Sequence, residues 1–235
     1  MPAAAAGQSA TGPGATGPGA TPAAVAPATA KCTAGTGPYQ REMERYLKRP
    51  ADGHQSAADC EAIRAFQVRN KVAPATGYAS LATYRMMLVE VARKNPNAAG
   101  NCPVRSYRVA CVDLTRQIMW VQRGSAVVFS PVPVRTGKDD FETRLGWHTV
   151  YWRNRDHYSS IYDNAPMPYA QFFNGGQAFH GVYGDLFKGG SHGCVNLRYE
   201  DAARLWNVLR EGDPVYVWGV KPGTNRSIPR NHSGK

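Results

Sequence analysis

The sequence predicts an α+β chain in which a small three-helix unit precedes a mainly β, sandwich-like domain. Three observations carry that expectation. Apolar residues between Tyr39 and Val91 recur three and four apart, which is the helical period. From Arg105 onward the texture changes to short segments rich in Val, Tyr, Trp and Phe, with turn residues between them, as strands require. Ahead of both lies a stretch of Ala, Gly, Pro and Thr with no charged side chain, which buries too little to offset its backbone entropy. The expected boundaries are a disordered linker over 1–31, a helical domain over 32–98, a β-rich domain over 102–222 and a basic tail over 223–235.

The linker has neither a basic start nor a continuous apolar run, so it does not read as a secretory leader; an export or anchoring signal is expected to precede it. A Pro/Ala/Gly spacer suits a protein held at a surface and reaching outward, and equally an inert tail. The first helix is marked by Tyr39, Met43, Tyr46 and Leu47. A second is expected to start at Ser56, whose S-x-x-D spacing to Asp59 resembles a capping arrangement, and to carry Ile63 and Phe66. The third carries Leu81, Tyr84, Leu88 and Val91 and ends before Pro96, with Pro74 and Gly77 making the turn that precedes it. Strands are expected in SYRVACVDL, QIMWVQR, SAVVFSPVPV, WHTVYWR and PVYVWGV, and Pro131 and Pro133 fit an edge or a bulge. Trp147, Tyr151 and Trp152 alternate as sheet packing demands, although a peptide groove could use one of them. A last helix has Ala202, Leu205, Trp206 and Leu209 on one stripe, closed by Gly212 and Pro214.

The 235 residues are 43% hydrophobic, enough to bury a core, yet no apolar run approaches the roughly 18 residues of a membrane span. A net charge of +11 favours an anionic environment: nucleic acid, wall polymer or membrane surface. The basic residues do not interleave with aromatics in a nucleic-acid reader motif, so a nucleic-acid partner is not expected. Five cysteines without a C-x-x-C pair argue against a structural zinc finger. An odd count suits an exported protein with two bridges and one functional thiol. Local spacing favours Cys32 with Cys60 and Cys102 with Cys111, leaving Cys194 free, although the sequence does not exclude other pairings or five unpaired thiols in a reducing cytosol.

The chemistry concentrates in Phe179-His180-Gly181-Val182-Tyr183-Gly184 and in Gly190-Ser191-His192-Gly193-Cys194-Val195-Asn196-Leu197. If the second segment is extended, alternation puts His192 and Cys194 on one face, and Gly193 leaves the backbone open to a substrate. A thiol beside imidazole is a candidate thiolate nucleophile for acyl transfer. His180 returns to the same place across a loop of small residues, so two imidazoles are expected to serve one thiol. Cys194 also has duller readings, as a buried core thiol or as one ligand of a zinc site with His180 and His192. His148 and His157 read as structural or surface histidines.

The order Ser191-His192-Gly193-Cys194-x-Asn196 with an upstream His180-Gly181 closely resembles the signature of the YkuD-type L,D-transpeptidase catalytic domain. That resemblance implies Cys194 as acyl-enzyme nucleophile, His180 as general base and the Gly181 carbonyl as its orienting partner. It further implies His192 as a stabilising group and amides around Gly193 and Cys194 facing an oxyanion. Ser191 and Asn196 would hold the loop on the substrate side, and Tyr169, in Met167-Pro168-Tyr169, would touch oxyanion or substrate. In the helical unit, Asp52-Gly53, Ala62-Ile63-Arg64-Ala65-Phe66-Gln67 and Thr76-Gly77-Tyr78 with Thr83 resemble a peptidoglycan-binding domain. Together these resemblances imply a monomeric, extracytoplasmic, wall-associated enzyme acting on peptidoglycan stem peptides and glycan, in wall organisation and cell shape, with no metal or organic cofactor. The rivals are a zinc-dependent peptidase built on the same His/Cys cluster and a noncatalytic wall-binding protein.

Overall fold

The computed structural model describes residues 31–33 and 35–224; the expected linker, save Lys31, and nearly all of the basic tail lie outside the described residues. Three helices come first: α1 (Gln40–Tyr46), α2 (Ala57–Arg69) and α3 (Leu81–Lys94). The strands are β1 (Arg108–Asp113), β2 (Ile118–Arg123), β3 (Ala126–Pro133), β4 (Gly146–Thr149), β5 (Trp152–Tyr158), β6 (Pro166–Asn174), β7 (Gln177–Val182), β8 (Val195–Arg198) and β9 (Pro214–Trp218). One further helix, α4 (Tyr199–Trp206), follows β8 directly. The strands form a five-stranded sheet in the order β3-β2-β1-β9-β4 and a four-stranded sheet in the order β5-β6-β7-β8. Two neighbouring pairs are parallel, β1 with β9 and β7 with β8; the rest are antiparallel.

Alternation along β1 explains how the layers stack. Ala110 and Val112 face the second sheet and join Val121, Phe173, Phe179, Val195, Leu197 and Leu205 of α4 in the central core. Val109 and Cys111 face the other way and meet the helices, in a cluster with Met43, Ile63, Phe66, Val89, Ile118 and Trp120. A strand buried on both faces needs a nearly continuous apolar run, which the segment RVACVD supplies. The first sheet is therefore covered by helices on one face and by the second sheet on the other. The second sheet is left with one face free for chemistry.

The helical unit is held by its own local signals. Ser56 caps α2, its side chain accepting from Asp59 N–H at 3.1 Å while the Asp59 carboxylate accepts from Ser56 N–H at 3.1 Å. Gln67, buried at 1% exposure, donates to Tyr78 O (2.8 Å) and Thr83 Oγ1 (2.9 Å) and accepts from Gly77 N–H (2.8 Å). The residues that resemble a wall-binding motif thus tie α2 to the turn before α3. Disulfides join Cys32 to Cys60 and Cys102 to Cys111, with Cα separations of 5.8 and 5.9 Å, and Cys194 is free.

Two expectations change. The segment around Trp147 and Trp152 is not one alternating strand. Val150 N–H bonds to Asp213 O beside β9, whereas Tyr151 N–H bonds to Phe172 O on β6, so the chain crosses between sheets there and the two tryptophans belong to different layers. The last helix stops at Trp206, and Leu209 reaches the core from a final tight turn in which its N–H still bonds Leu205 O. β3 is an edge strand as expected from its prolines, and its pairing with β2 slips register twice.

The capping box yields a stability test. Burial alone would raise the Asp59 carboxyl, but hydrogen bonds from Ser56 and Arg49 outweigh it and hold the group below the ordinary carboxylate range. The stabilisation is therefore present above the unfolded pKa and is lost as pH falls through the folded one. Ser56→Ala is expected to cost about 1 kcal/mol near pH 7 by urea unfolding, with the difference from wild type shrinking as pH falls below the ordinary carboxylate range and Asp59 takes up its proton.

Candidate active site

The free face of the second sheet is organised by the parallel pairing of β7 with β8, in register Phe179↔Val195, His180↔Asn196 and Gly181↔Leu197. Phe179, Val195 and Leu197 point into the core, each with 0% exposure. The alternate residues Ala178, His180, Cys194 and Asn196 consequently share the opposite face. His180 and Cys194 are diagonal neighbours on it. Gly181 has no Cβ because α4 lies against it: an added methyl would sit 3.2 Å from Tyr199 Cα and 3.3 Å from Ala202 Cβ.

His180 is 8% exposed and both ring nitrogens have partners. Nδ1 bonds the Gly181 carbonyl at 2.8 Å and Nε2 bonds Asn196 Nδ2 at 2.7 Å. A carbonyl only accepts and an amide nitrogen only donates, so the proton is assigned to Nδ1 and the lone pair to Nε2. Burial, the dominant cause, pushes the imidazole down to about 4, with Arg135 and His157 lowering it further and the Gly181 bond opposing.

The loop that presents Cys194 is laced to its surroundings. Ser191 Oγ donates to Cys194 O at 2.6 Å and accepts from Gly193 N–H at 3.1 Å. Thr143 Oγ1 donates to Gly193 O at 2.8 Å, and Ser191 N–H bonds Thr136 O at 3.1 Å. Ser191 therefore holds the loop, and the Gly193 amide is occupied by it instead of facing an oxyanion as expected. Gly193 itself has φ +111°, and a Cβ there would collide with Gln177. Gln177 in turn donates to Glu142 O (3.0 Å) and accepts from Arg144 N–H (3.0 Å).

The Cys194 sulfur packs against the small cluster of Met167, Ala170, Phe172 and Ala178 and donates to Gly176 O at 3.6 Å. Burial pushes the thiol up to about 11, against a lesser opposing effect from the Ala178 backbone. With the thiol high and the imidazole low, the resting pair is neutral at pH 7. Burial of both groups favours their uncharged forms over the preformed thiolate expected from sequence. Neither imidazole hydrogen-bonds the sulfur among the described residues. His192 is held instead by a parallel stack on Tyr162 (4.3 Å) and an edge contact with Phe141 (4.6 Å), so it forms part of an aromatic wall rather than a second partner of the thiol.

Tyr169 is not brought to the sulfur. Its φ of +58° interrupts the alternation of β6 and turns its ring to the core side, against Tyr199 (5.4 Å) and Trp206 (6.1 Å). The same interruption leaves Met167 with Ala170 and Phe172 on the site face. His157, read from sequence as structural or surface, packs with Trp152 (5.2 Å) and Phe172 (5.1 Å) and lies close enough to His180 to depress it. Among the described residues no group of three His, Cys, Asp or Glu is arranged to hold a metal ion. His180 in particular has no ring nitrogen free for one, so the donor set of the zinc reading does not assemble.

Gly193→Ala meets both a left-handed backbone and the Gln177 side chain. It is expected to destabilise the protein by about 1–3 kcal/mol in chemical denaturation, whereas Gly175→Ala, on an open turn, costs less.

Residues 107–217 match the family model described as YkuD, the L,D-transpeptidase catalytic domain. A solved L,D-transpeptidase from Stackebrandtia nassauensis is 34% identical with a TM-score of 0.63, over 80% of this chain and 95% of that one. An L,D-transpeptidase (residues 123–326) from Xylanimonas cellulosilytica is 24% identical with a TM-score of 0.46, over 80% and 96%. One from Mycobacterium tuberculosis is 23% identical with a TM-score of 0.44, over 48% and 57%. No curated protein matches the chain. The family match over the β domain and the similarity along nearly the full length of the Stackebrandtia enzyme agree with the Cys/His face described above: the chain belongs to the YkuD family of L,D-transpeptidases.

Proposed function

We propose that this transpeptidase acts on peptidoglycan stem tetrapeptides, with Cys194 as nucleophile and His180 as general base. The observation that carries this reading is the shared face of His180 and Cys194 across the β7–β8 pair, with Nε2 the unprotonated ring nitrogen, where it accepts from Asn196 Nδ2. In the proposed sequence Asn196 Nδ2 gives up its hydrogen bond to His180 Nε2, and Cys194 Sγ turns from the Gly176 carbonyl and gives its proton to the freed Nε2 while attacking the carbonyl carbon at the L,D bond. The C–N bond to the terminal D-alanine then breaks, and the imidazolium returns the proton to the departing amine. A thioester remains on Cys194. An amine from a neighbouring stem attacks it, His180 removes the amine's proton, and the thiol is regenerated as a 3-3 cross-link forms; water in place of the amine gives carboxypeptidase activity.

His192, Tyr162 and Phe141 are read as the wall of the substrate mouth, and Ser191 as the anchor that keeps Cys194 in place. The two disulfides and the net charge of +11 support an extracytoplasmic protein among anionic wall polymers. No described helix is long and apolar enough to cross a membrane. The helical unit is read as a wall-binding element on its motif resemblance, with its buried Phe66 and Gln67 shaping the unit and any glycan contact falling to exposed residues around them.

Product analysis tests the reading. Wild type incubated with a stem tetrapeptide is expected to release D-alanine and form a dimer lacking one D-alanine, unaffected by a chelator. Cys194→Ala should abolish both products, and His180→Gln should slow them about 10²- to 10⁴-fold. Products that survive Cys194→Ala, or that vanish on chelation, would overturn it.

A further inference from the structure

The Asn196 side chain is gripped from both sides. Arg135 Nε donates to Asn196 Oδ1 at 3.0 Å, and Asn196 Nδ2 donates to His180 Nε2 at 2.7 Å. The backbones of Arg135 and Asn196 also exchange hydrogen bonds, at 3.0 and 2.9 Å. The guanidinium is tied down by Nη1 bonds to the carbonyls of Lys188 (2.9 Å) and Asp185 (3.3 Å). Asn196 is 3% exposed, so bulk water does not compete for its amide.

Arginine has donors only. The amide oxygen must therefore face Arg135, the NH2 must face His180, and Nε2 must be the acceptor. A rotated Asn196 would point its NH2 at the guanidinium and lose both bonds. We propose that Arg135 is a positioning residue for acyl transfer: by locking the Asn196 amide it holds an N–H against Nε2 and so, together with the Gly181 carbonyl at Nδ1, keeps His180 in the tautomer whose Nε2 lone pair receives the Cys194 proton once Asn196 draws back. The proposal rests on the reading of Cys194 and His180 as nucleophile and base.

The lock has a second effect once Nε2 is protonated. The new Nε2–H meets the NH2 of Asn196, which cannot present its oxygen without abandoning Arg135. Imidazolium is thus disfavoured, and the proton moves on to the departing amine. The other titratable groups around the ring are Cys194, from the turn into β8, and His157, from β5; Asp185 acts on Arg135.

The test combines ¹⁵N NMR of His180 in the full chain with the pH profile of kcat/KM on a stem tetrapeptide. Arg135→Met frees Asn196 to turn its oxygen toward His180, so part of the neutral-ring population should pass from the Nδ1–H tautomer, still favoured by the Gly181 carbonyl, to an Nε2–H tautomer bonded to Asn196 Oδ1. The ring's titration and the acidic limb of the profile should both move up by about one pH unit, a tenfold gain in proton affinity to which loss of the Arg135 charge also contributes, so the change of tautomer is the readout that separates the lock from simple electrostatics. Arg135→Lys, which retains a donor, should restore much of the wild-type tautomer and profile. Asn196→Asp, which has no N–H to offer, should move the titration upward even with Arg135 in place. A uniform loss of rate with tautomer and acidic limb unchanged in Arg135→Met would reduce Arg135 to a purely structural role and overturn the proposal. If Arg135→Met does not fold, an unshifted His180 titration in Asn196→Asp overturns it instead. Wild type that turns over no stem peptide would count against the functional reading, while the NMR outcomes would still decide the role of Arg135.

Discussion

Everything at the site depends on β7 lying parallel to β8. Parallel pairing needs a crossover, and the loop from Tyr183 to Gly190 provides it, bringing His180 and Cys194 to one face although they are far apart along the chain. The same two strands bury Phe179, Val195 and Leu197 on their other face, so the apolar effect that closes the sandwich also sets the register of the site. A one-residue slip would send the imidazole into hydrocarbon and Phe179 into the mouth. Gly181 lets α4 settle against β7, which keeps the pair from sliding apart.

Burial gives this site its electrical character. Desolvation raises the thiol and lowers the imidazole, and both shifts favour the uncharged forms. In the proposed mechanism the proton leaves sulfur as the sulfur attacks the substrate carbonyl carbon, and the carbonyl oxygen takes up the developing charge. The donors and carbonyls around the loop are largely engaged with one another, through Ser191, Thr143 and Gln177, which makes the Cys194 turn rigid before substrate arrives.

The parts legible in the sequence are those governed by local rules. Ser56 and Asp59 form the box their spacing implied, three helices form where the apolar periods place them, and the Ser191–Asn196 run leads into a strand, although α3 buries Met86, Val89 and Ala92 and leaves Val91, on the stripe expected from sequence, exposed. Family membership was legible for the same reason, because the motif is short and contiguous. What sequence did not reveal depends on distant neighbours. Nothing near Arg135 announces that it faces Asn196 across the fold, and His157 joins the site through β6, where Tyr169 upsets the simple alternation. His192 differs because the i, i+2 alternation needs an extended backbone, whereas Gly193 has φ +111° and β8 starts only at Val195, so Tyr162 and Phe141, on separate loops, decide where the ring rests. Trp147 and Trp152 misled because a strand-like pattern can run through a point where the chain changes sheets.

On the proposed reading Cys194 and His180 share one face of the second sheet as a neutral pair in the free enzyme. Thiolate absorbance in the ultraviolet, followed against pH in wild type and subtracted for Cys194→Ala, tests it directly. The account predicts no Cys194 thiolate near neutrality and a rise centred at about 11. A rise centred below neutrality that disappears in His180→Gln would reveal a preformed thiolate–imidazolium pair and contradict it.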